Sequence, residues 1–175
     1  MSTSPENKQL MVRAIRWQAK GICSYELVDP DGHLLEPFQA GAHIDMHLPG
    51  EIVRSYSLAG DPKDQTHWLI GVLREPTSRG GSLALHDKVR VGDLIEVSPV
   101  RNAFSLSSNA THSMLIAGGI GITPLKSMAH ELVANGASFE LHYCARSPSN
   151  MAFANELKAL VPKDRDRKST RLNSS

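Results

Sequence analysis

The segment Arg54-Ser55-Tyr56-Ser57-Leu58, followed by the turn residues Ala59-Gly60-Asp61-Pro62, sets a guanidinium, a phenol and hydroxyls close together on what reads as one extended strand. A guanidinium fork grips a phosphate through two parallel hydrogen bonds, a phenol face covers a planar ring, and a hydroxyl donates to a ring nitrogen. The chemistry suggested is recognition of a flat ligand that carries a phosphate. The plain alternative is a half-buried strand in which Arg54 is only a solvated rim charge. Two later stretches weigh against it. Arg79-Gly80-Gly81-Ser82-Leu83 offers two glycines that let backbone N–H groups curl toward an anion ahead of a short helix, and Arg74 and Arg79 lie nearby. Gly118-Gly119-Ile120-Gly121-Ile122-Thr123-Pro124 joins an apolar run to a helix, the setting in which a glycine loop cradles a pyrophosphate.

The elements that must position these groups fall into two patterns. Gln9 to Trp17 and Ile22 to Val28 read as strands, and Asp29-Pro30-Asp31-Gly32 is a turn that closes a hairpin onto His33-Leu34-Leu35. In His43 to Leu48, Ile44, Met46 and Leu48 share one face. His43, Asp45 and His47 take the other, where alternation alone puts them in solvent, so no metal is expected. His67 to Leu73 and Leu94 to Val97 complete a set of short strands punctuated by Gly and Pro, with a single helical turn at Leu83 to His86. This predicts an antiparallel β-barrel that closes near Pro99. Beyond it the pattern becomes βαβα. Met114 to Ala117 reads as a parallel strand buried on both faces. Thr123 is the expected N-cap of the next helix, with Pro124 at its first position, and Gly136 ends it. Phe139 to Cys144 is a second strand and Met151 to Val161 a second helix. Lys126 in the first turn opposes the helix dipole unless an anion is present, an argument for a phosphate there.

With the three motifs in this order, the chain resembles the ferredoxin reductase type of flavoprotein oxidoreductase, and within it the phthalate dioxygenase reductase and vanillate demethylase reductase group, from about Lys8 to about Pro162. The resemblance implies a flavin-binding β-barrel domain over residues 1–105, an incomplete α/β nucleotide-binding domain over 110–162, and a disordered or foreign tail over 163–175 that supplies no further strand. Val100 to Phe104 looks like the segment linking the two domains. It implies that Arg54 reaches the flavin phosphate, Tyr56 stacks on the ring, and Ser57 lies near the ring nitrogen that takes hydride. Gly80, Gly81 and Ser82 would hold the phosphate, and Gly118, Gly119 and Gly121 the pyrophosphate of NADH. Thr123 would stand nearest the nicotinamide, with Arg146 on the adenosine side; Ser57 and Thr123 are the catalytic candidates. FMN is implied as cofactor, with FAD second. NADH would be the electron donor, and a terminal oxygenase component the acceptor. A 2Fe-2S cluster would sit only in a C-terminal module absent here.

Composition sets the remaining bounds. With 41% hydrophobic residues the chain is globular, and a formal charge of +1 gives no basic field for nucleic acid or an anionic membrane. Cys23 and Cys144 form no CxxC pair, and the polar first residues hold no apolar signal core, so a cytoplasmic protein is expected. A plain NAD-binding dehydrogenase is disfavoured, because its fingerprint should open the chain and precede an acidic residue by about 20 positions. The alternative kept beside the reductase is a truncated flavin-binding module that NADH reduces slowly.

Overall fold

The computed structural model describes residues 6–160 and 171–174. Strands β1 (Lys8–Ala19), β2 (Ile22–Val28), β3 (His43–Leu48), β4 (Ile52–Ser57), β5 (Trp68–Leu73) and β6 (Leu94–Val97) form one antiparallel six-stranded sheet in the order β4-β3-β6-β1-β2-β5. Helix α1 (Gly81–Lys88) packs on it. Period-two patterning accounts for the sheet. Ile44 and Met46 are fully buried while His47 opposite them is exposed, and Leu10 and Val12 of β1 join them with Trp68 and Ile70 in one core. Leu85 of α1 is buried in the same core.

The expected barrel does not form. β4 and β5 are the two edges of the sheet, and the chain joins them only through an isolated bridge between Leu58 and Ile70. There Ala59 N–H donates to Leu69 O at 2.7 Å. Beyond that bridge Gly71, Val72 and Leu73 pair only with Ser24, Cys23 and Ile22 of β2 on their other side. Along Tyr56, Ser57 and Gly71 to Leu73 the edges stay apart.

The second sheet is parallel, with β7 (Ser113–Gly118), β8 (Phe139–Ala145) and β9 (Arg171–Ser174) in that order. A short 3-10 turn, Gly119–Gly121, leads from β7 into α2 (Ile122–Ala134), and α3 (Ala154–Leu160) follows β8. Gly136 follows the helix with φ 64, the left-handed C′ position that favours glycine. Leu125, Met128, Ala129 and Leu132 of α2 bury against Leu115, Ala117, Leu141 and Tyr143. Ala19, Ile22, Ala40, Ala59 and Leu69, all from the first half of the chain, belong to this same core.

Four local expectations need correction. His33 to Leu35 is not a strand: the turn forms, with Gly32 N–H on Asp29 O, but Leu35 N–H donates to Gln65 O instead of to β2. The predicted single turn at Leu83 to His86 is a longer helix, because Gly80, at φ 89, starts it earlier. β7 is buried on one face only; Met114 and Ile116 are 60% and 67% exposed, because α2 and α3 lie on the other side. Finally, Arg171–Ser174 pairs in parallel with β8, where no further strand was expected. The rest of the tail predicted over 163–175 lies outside the described residues, as does Val161.

Candidate functional site

The opening between the two sheet edges is a cavity of about 480 Å³. Tyr56 and Ser57 line it from β4, Gly71, Val72 and Leu73 from β5, Ser82 from α1, and Gly121, Thr123 and Pro124 from the start of α2. A second cavity, of about 600 Å³, runs under the glycine loop between Gly118, Gly119, Cys144 and Arg146 on one side and Arg74 and Pro76 on the other. Leu73, Glu75 and Ile120 are walls of both. Each volume lies in the range of small-molecule sites.

Tyr56 is half-buried. Burial pushes its phenol up to about 12, against a smaller downward pull from the Arg54 guanidinium, so the ring is neutral and offers a flat apolar wall. Arg54 stands behind it, outside the residues that line the cavity. Its guanidinium donates to Val53 O at 2.7 Å and Arg79 O at 2.6 Å, which leaves further N–H donors of the fork unused. The stem of Arg54 lies over Gly81: a Cβ there would stand 2.4 Å from Arg54 Cγ, so only glycine allows this packing. Gly80 and Gly81 thus place the free N–H groups at the start of α1 beside Arg54. Ser82 Oγ accepts from Glu75 N–H at 3.1 Å and donates to Ser78 Oγ, holding the loop that carries Glu75 against the helix.

On the nucleotide side Thr123 is not the N-cap. The 3-10 turn begins the helical path earlier, Gly121 takes the cap position, and Thr123 Oγ1 donates to Ile120 O at 3.1 Å. Lys126 also departs from expectation. Its side chain is 4% exposed; Nζ donates to Ala59 O at 3.0 Å and pairs with Glu156 Oε2 at 3.1 Å, so it faces the first sheet and makes no case for a phosphate. Arg146 is exposed at the second cavity.

The fold thus brings Tyr56, Ser57, Ser82, Gly121 and Thr123 to one cavity, and Gly118, Gly119 and Arg146 to its neighbour. Gly80, Gly81 and Arg54 stand behind the first. Sequence reasoning missed Gly71 and Glu75. The signal for Gly71 was a lone glycine inside an apolar strand, which marks a close approach. A Cβ on it would lie 2.8 Å from Thr123 Cγ2 and 2.9 Å from Phe153 Cε2. The residues present fit a planar ring with a phosphate: a neutral aromatic wall, a hydroxyl at the strand end, and a cradle of N–H groups beside a guanidinium.

An antiparallel sheet with a cavity at its open edge thus abuts a parallel sheet that carries a glycine loop. A family model described as an oxidoreductase NAD-binding domain matches residues 115–174. The chain is 51% identical over 150 residues to a vanillate O-demethylase oxidoreductase of Pseudomonas sp. (strain HR199 / DSM 7063), covering 86% of this chain and 47% of that protein. To the phthalate dioxygenase reductase of Burkholderia cepacia it is 45% identical over 140 residues, 79% of this chain and 44% of the other. The solved structure of a phthalate dioxygenase reductase, described as modular for electron transfer from pyridine nucleotides to [2Fe-2S], superposes with a TM-score of 0.84 at 40% identity, over 90% of this chain and 49% of that one. The chain belongs to the phthalate dioxygenase reductase and vanillate demethylase reductase family. It spans about half the length of the curated relatives it matches. Among the described residues no helix is long and apolar enough to cross a membrane.

Proposed function

We propose that this chain is the flavin- and nicotinamide-binding part of an NADH-dependent reductase, one that passes electrons singly to the iron–sulfur acceptor of an aromatic-ring oxygenase or demethylase. The observation that carries this reading is the cavity walled by Tyr56, Ser57 and Ser82 from the first half and by Gly121 and Thr123 from the second, opening onto the space under the glycine loop. A bound flavin would supply a ring that accepts hydride and returns electrons one at a time.

The residues have separate tasks. Tyr56 presents a neutral ring as an apolar wall and helps exclude water. Ser57, at the end of β4, holds a hydroxyl donor where negative charge would develop during reduction. Gly80, Gly81 and Ser82 offer the start of α1 to a phosphate, and Arg54 adds the N–H groups it has not spent on Val53 and Arg79. Gly118, Gly119 and Gly121 keep the loop bare, so that a pyrophosphate approaches the start of α2. Thr123 closes the nicotinamide side and Arg146 the adenosine side. Resemblance to the phthalate dioxygenase reductase group favours FMN over FAD, and the start of α1 is where its terminal phosphate would sit. With only Cys23 and Cys144, the chain lacks the thiolates for a four-cysteine cluster, so the 2Fe-2S centre would be held elsewhere.

The test is chromatography of heat-released flavin from the purified protein, followed by anaerobic titration with NADH. FMN that NADH bleaches, with Ser57→Ala slowing the bleaching and keeping the flavin, supports the reading. A colourless protein that takes up neither FMN nor FAD overturns it. Bleaching by dithionite but not by NADH leaves only a flavin-binding module.

A further inference from the structure

One wall of the ring cavity comes from β4 and β5 and the facing one from the start of α2, so the distance between them is set by whatever joins β4 to that helix. Beside the apolar packing of Ala59 and Leu69 against α2, one buried polar side chain contributes to that join. Lys126 sits one turn after Thr123 on α2, and its Nζ donates to Ala59 O at 3.0 Å, two residues after Ser57. The same ammonium pairs with Glu156 of α3 at 3.1 Å and lies 5.3 Å from the centre of the Phe153 ring. Phe153 holds the left-handed φ of 60, uncommon for an aromatic residue, and its ring fills the space over Gly71 that a Cβ would need. Glu156 is steadied in turn by Gln18 of β1, whose Nε2 donates to it at 3.4 Å.

Burying an ammonium costs desolvation, and an apolar side chain of the same length would pack in its place without that cost. Hydrophobic filling is therefore not what the charge contributes. Its contribution is directional. The donors of one Nζ are shared among a carbonyl of the first half, a carboxylate of the second and an aromatic face that touches β5 through Gly71.

We propose that Lys126 is a positioning residue that pins the start of α2 to the turn after β4, and so sets the separation of Thr123 from Ser57 across the cavity. The inference rests on the reading under Proposed function, in which those two residues flank the hydride donor and acceptor rings. Misplacement by about 1 Å costs up to about 100-fold in a step that needs near-attack geometry.

The test compares Lys126→Met, which keeps the length and removes the donors, with Lys126→Arg, which keeps the charge, and with Arg13→Ala as an exposed control. Two readouts are taken on the full chain: the single-turnover rate constant for flavin reduction at saturating NADH, together with the apparent nucleotide affinity, and amide hydrogen exchange. In Lys126→Met the rate constant should fall about 10- to 100-fold, with flavin content retained and nucleotide affinity changed less than about threefold. Exchange should rise in residues 57–62 and 120–127 and stay unchanged in β1 and β3. Lys126→Arg should recover most of the rate. If Lys126→Met does not fold, Lys126→Gln, too short to reach Ala59 O, takes its place with the same expectations. An unchanged rate constant in the Met variant overturns the proposal, as does a loss that merely follows flavin release or global unfolding. If the unmutated protein binds no flavin or is not reduced by NADH, the functional reading fails instead. The exchange measurement then still decides whether Lys126 pins the two segments: a rise confined to them upholds the pin and no rise refutes it.

Discussion

The two sheets border the same cavity, yet one encloses its core and the other does not. In the antiparallel sheet Leu10, Val12, Ile44, Met46, Trp68 and Ile70 are buried together, and α1 adds Leu85, so its core is composed of residues before Val100. The parallel sheet buries Leu115, Ala117, Leu141 and Tyr143 on the face under α2 and α3 and leaves Met114 and Ile116 exposed on the other. It also takes Ala19, Ile22, Ala40, Ala59 and Leu69 from the first half into its core. The contact is shared, but the core of the first sheet draws on no buried residue of the second half. The difference teaches that the antiparallel half has its own source of stability, whereas the parallel half is held partly by its neighbour, so local openings should begin there.

The largest effect should come from core truncation. Leu85→Ala and Leu141→Ala each remove a fully buried side chain, at about 2–5 kcal/mol. The comparison predicts that Leu85→Ala lowers exchange protection in both sheets, whereas Leu141→Ala lowers it in β7 and β8 and spares β1 to β3. Equal loss everywhere in both variants would break the asymmetry. Next, Arg54→Ala should weaken flavin binding by about 1.5–3 kcal/mol, the range for a hydrogen bond to a charged group, with Arg13→Ala neutral in the same fluorescence titration. Gly71→Ala probes the seam itself. Its new Cβ meets Thr123 and Phe153, so a cost of about 1–3 kcal/mol is expected, visible as a lowered melting temperature and as increased exchange at the start of α2.

The smallest effect concerns the link between the halves. Asp45 of β3 accepts from Ser55 Oγ at 2.5 Å and pairs with Arg101, and these contacts, Ser55 first, hold its carboxyl below the usual range. Its folded pKa is thus below the unfolded one, so the stabilisation is present above about pH 4 and is lost as pH falls through the depressed folded value. Arg101 is 55% exposed, so solvent limits the effect to about 1 kcal/mol or less. Melting curves of Asp45→Asn and the parent protein should converge as the pH is lowered below about 4.

Strand positions were legible because alternation and turn chemistry are local: His43–Leu48 and Leu94–Val97 stand as read. What failed was non-local. The apolar run at Met114 to Ala117 cannot say whether a second layer covers it. The Asp29 turn is satisfied by its own neighbours and needs no partner strand, so a correct turn led to a wrong hairpin. Lys126 looked like a misplaced charge in a first helical turn because its acceptor, Ala59 O, lies far back in the chain. The site motifs were readable one by one. Their meeting across the open sheet edge was not, since β4 and β5 stand at opposite ends of the strand order and approach each other only at the Leu58–Ile70 bridge, which no local signal announces.

That open edge has a thermodynamic consequence. Where a closed barrel would satisfy β4 and β5 with backbone bonds, this sheet leaves a gap of about 480 Å³ between them, which a ligand can fill only in the folded state. By mass action such a ligand adds RT ln(1 + [L]/Kd) to stability, about 2.7 kcal/mol at a free concentration 100 times Kd. The melting temperature is therefore a property of the solution as much as of the chain: it should climb with added ligand without a plateau at stoichiometry, and fall on dialysis with every covalent bond intact.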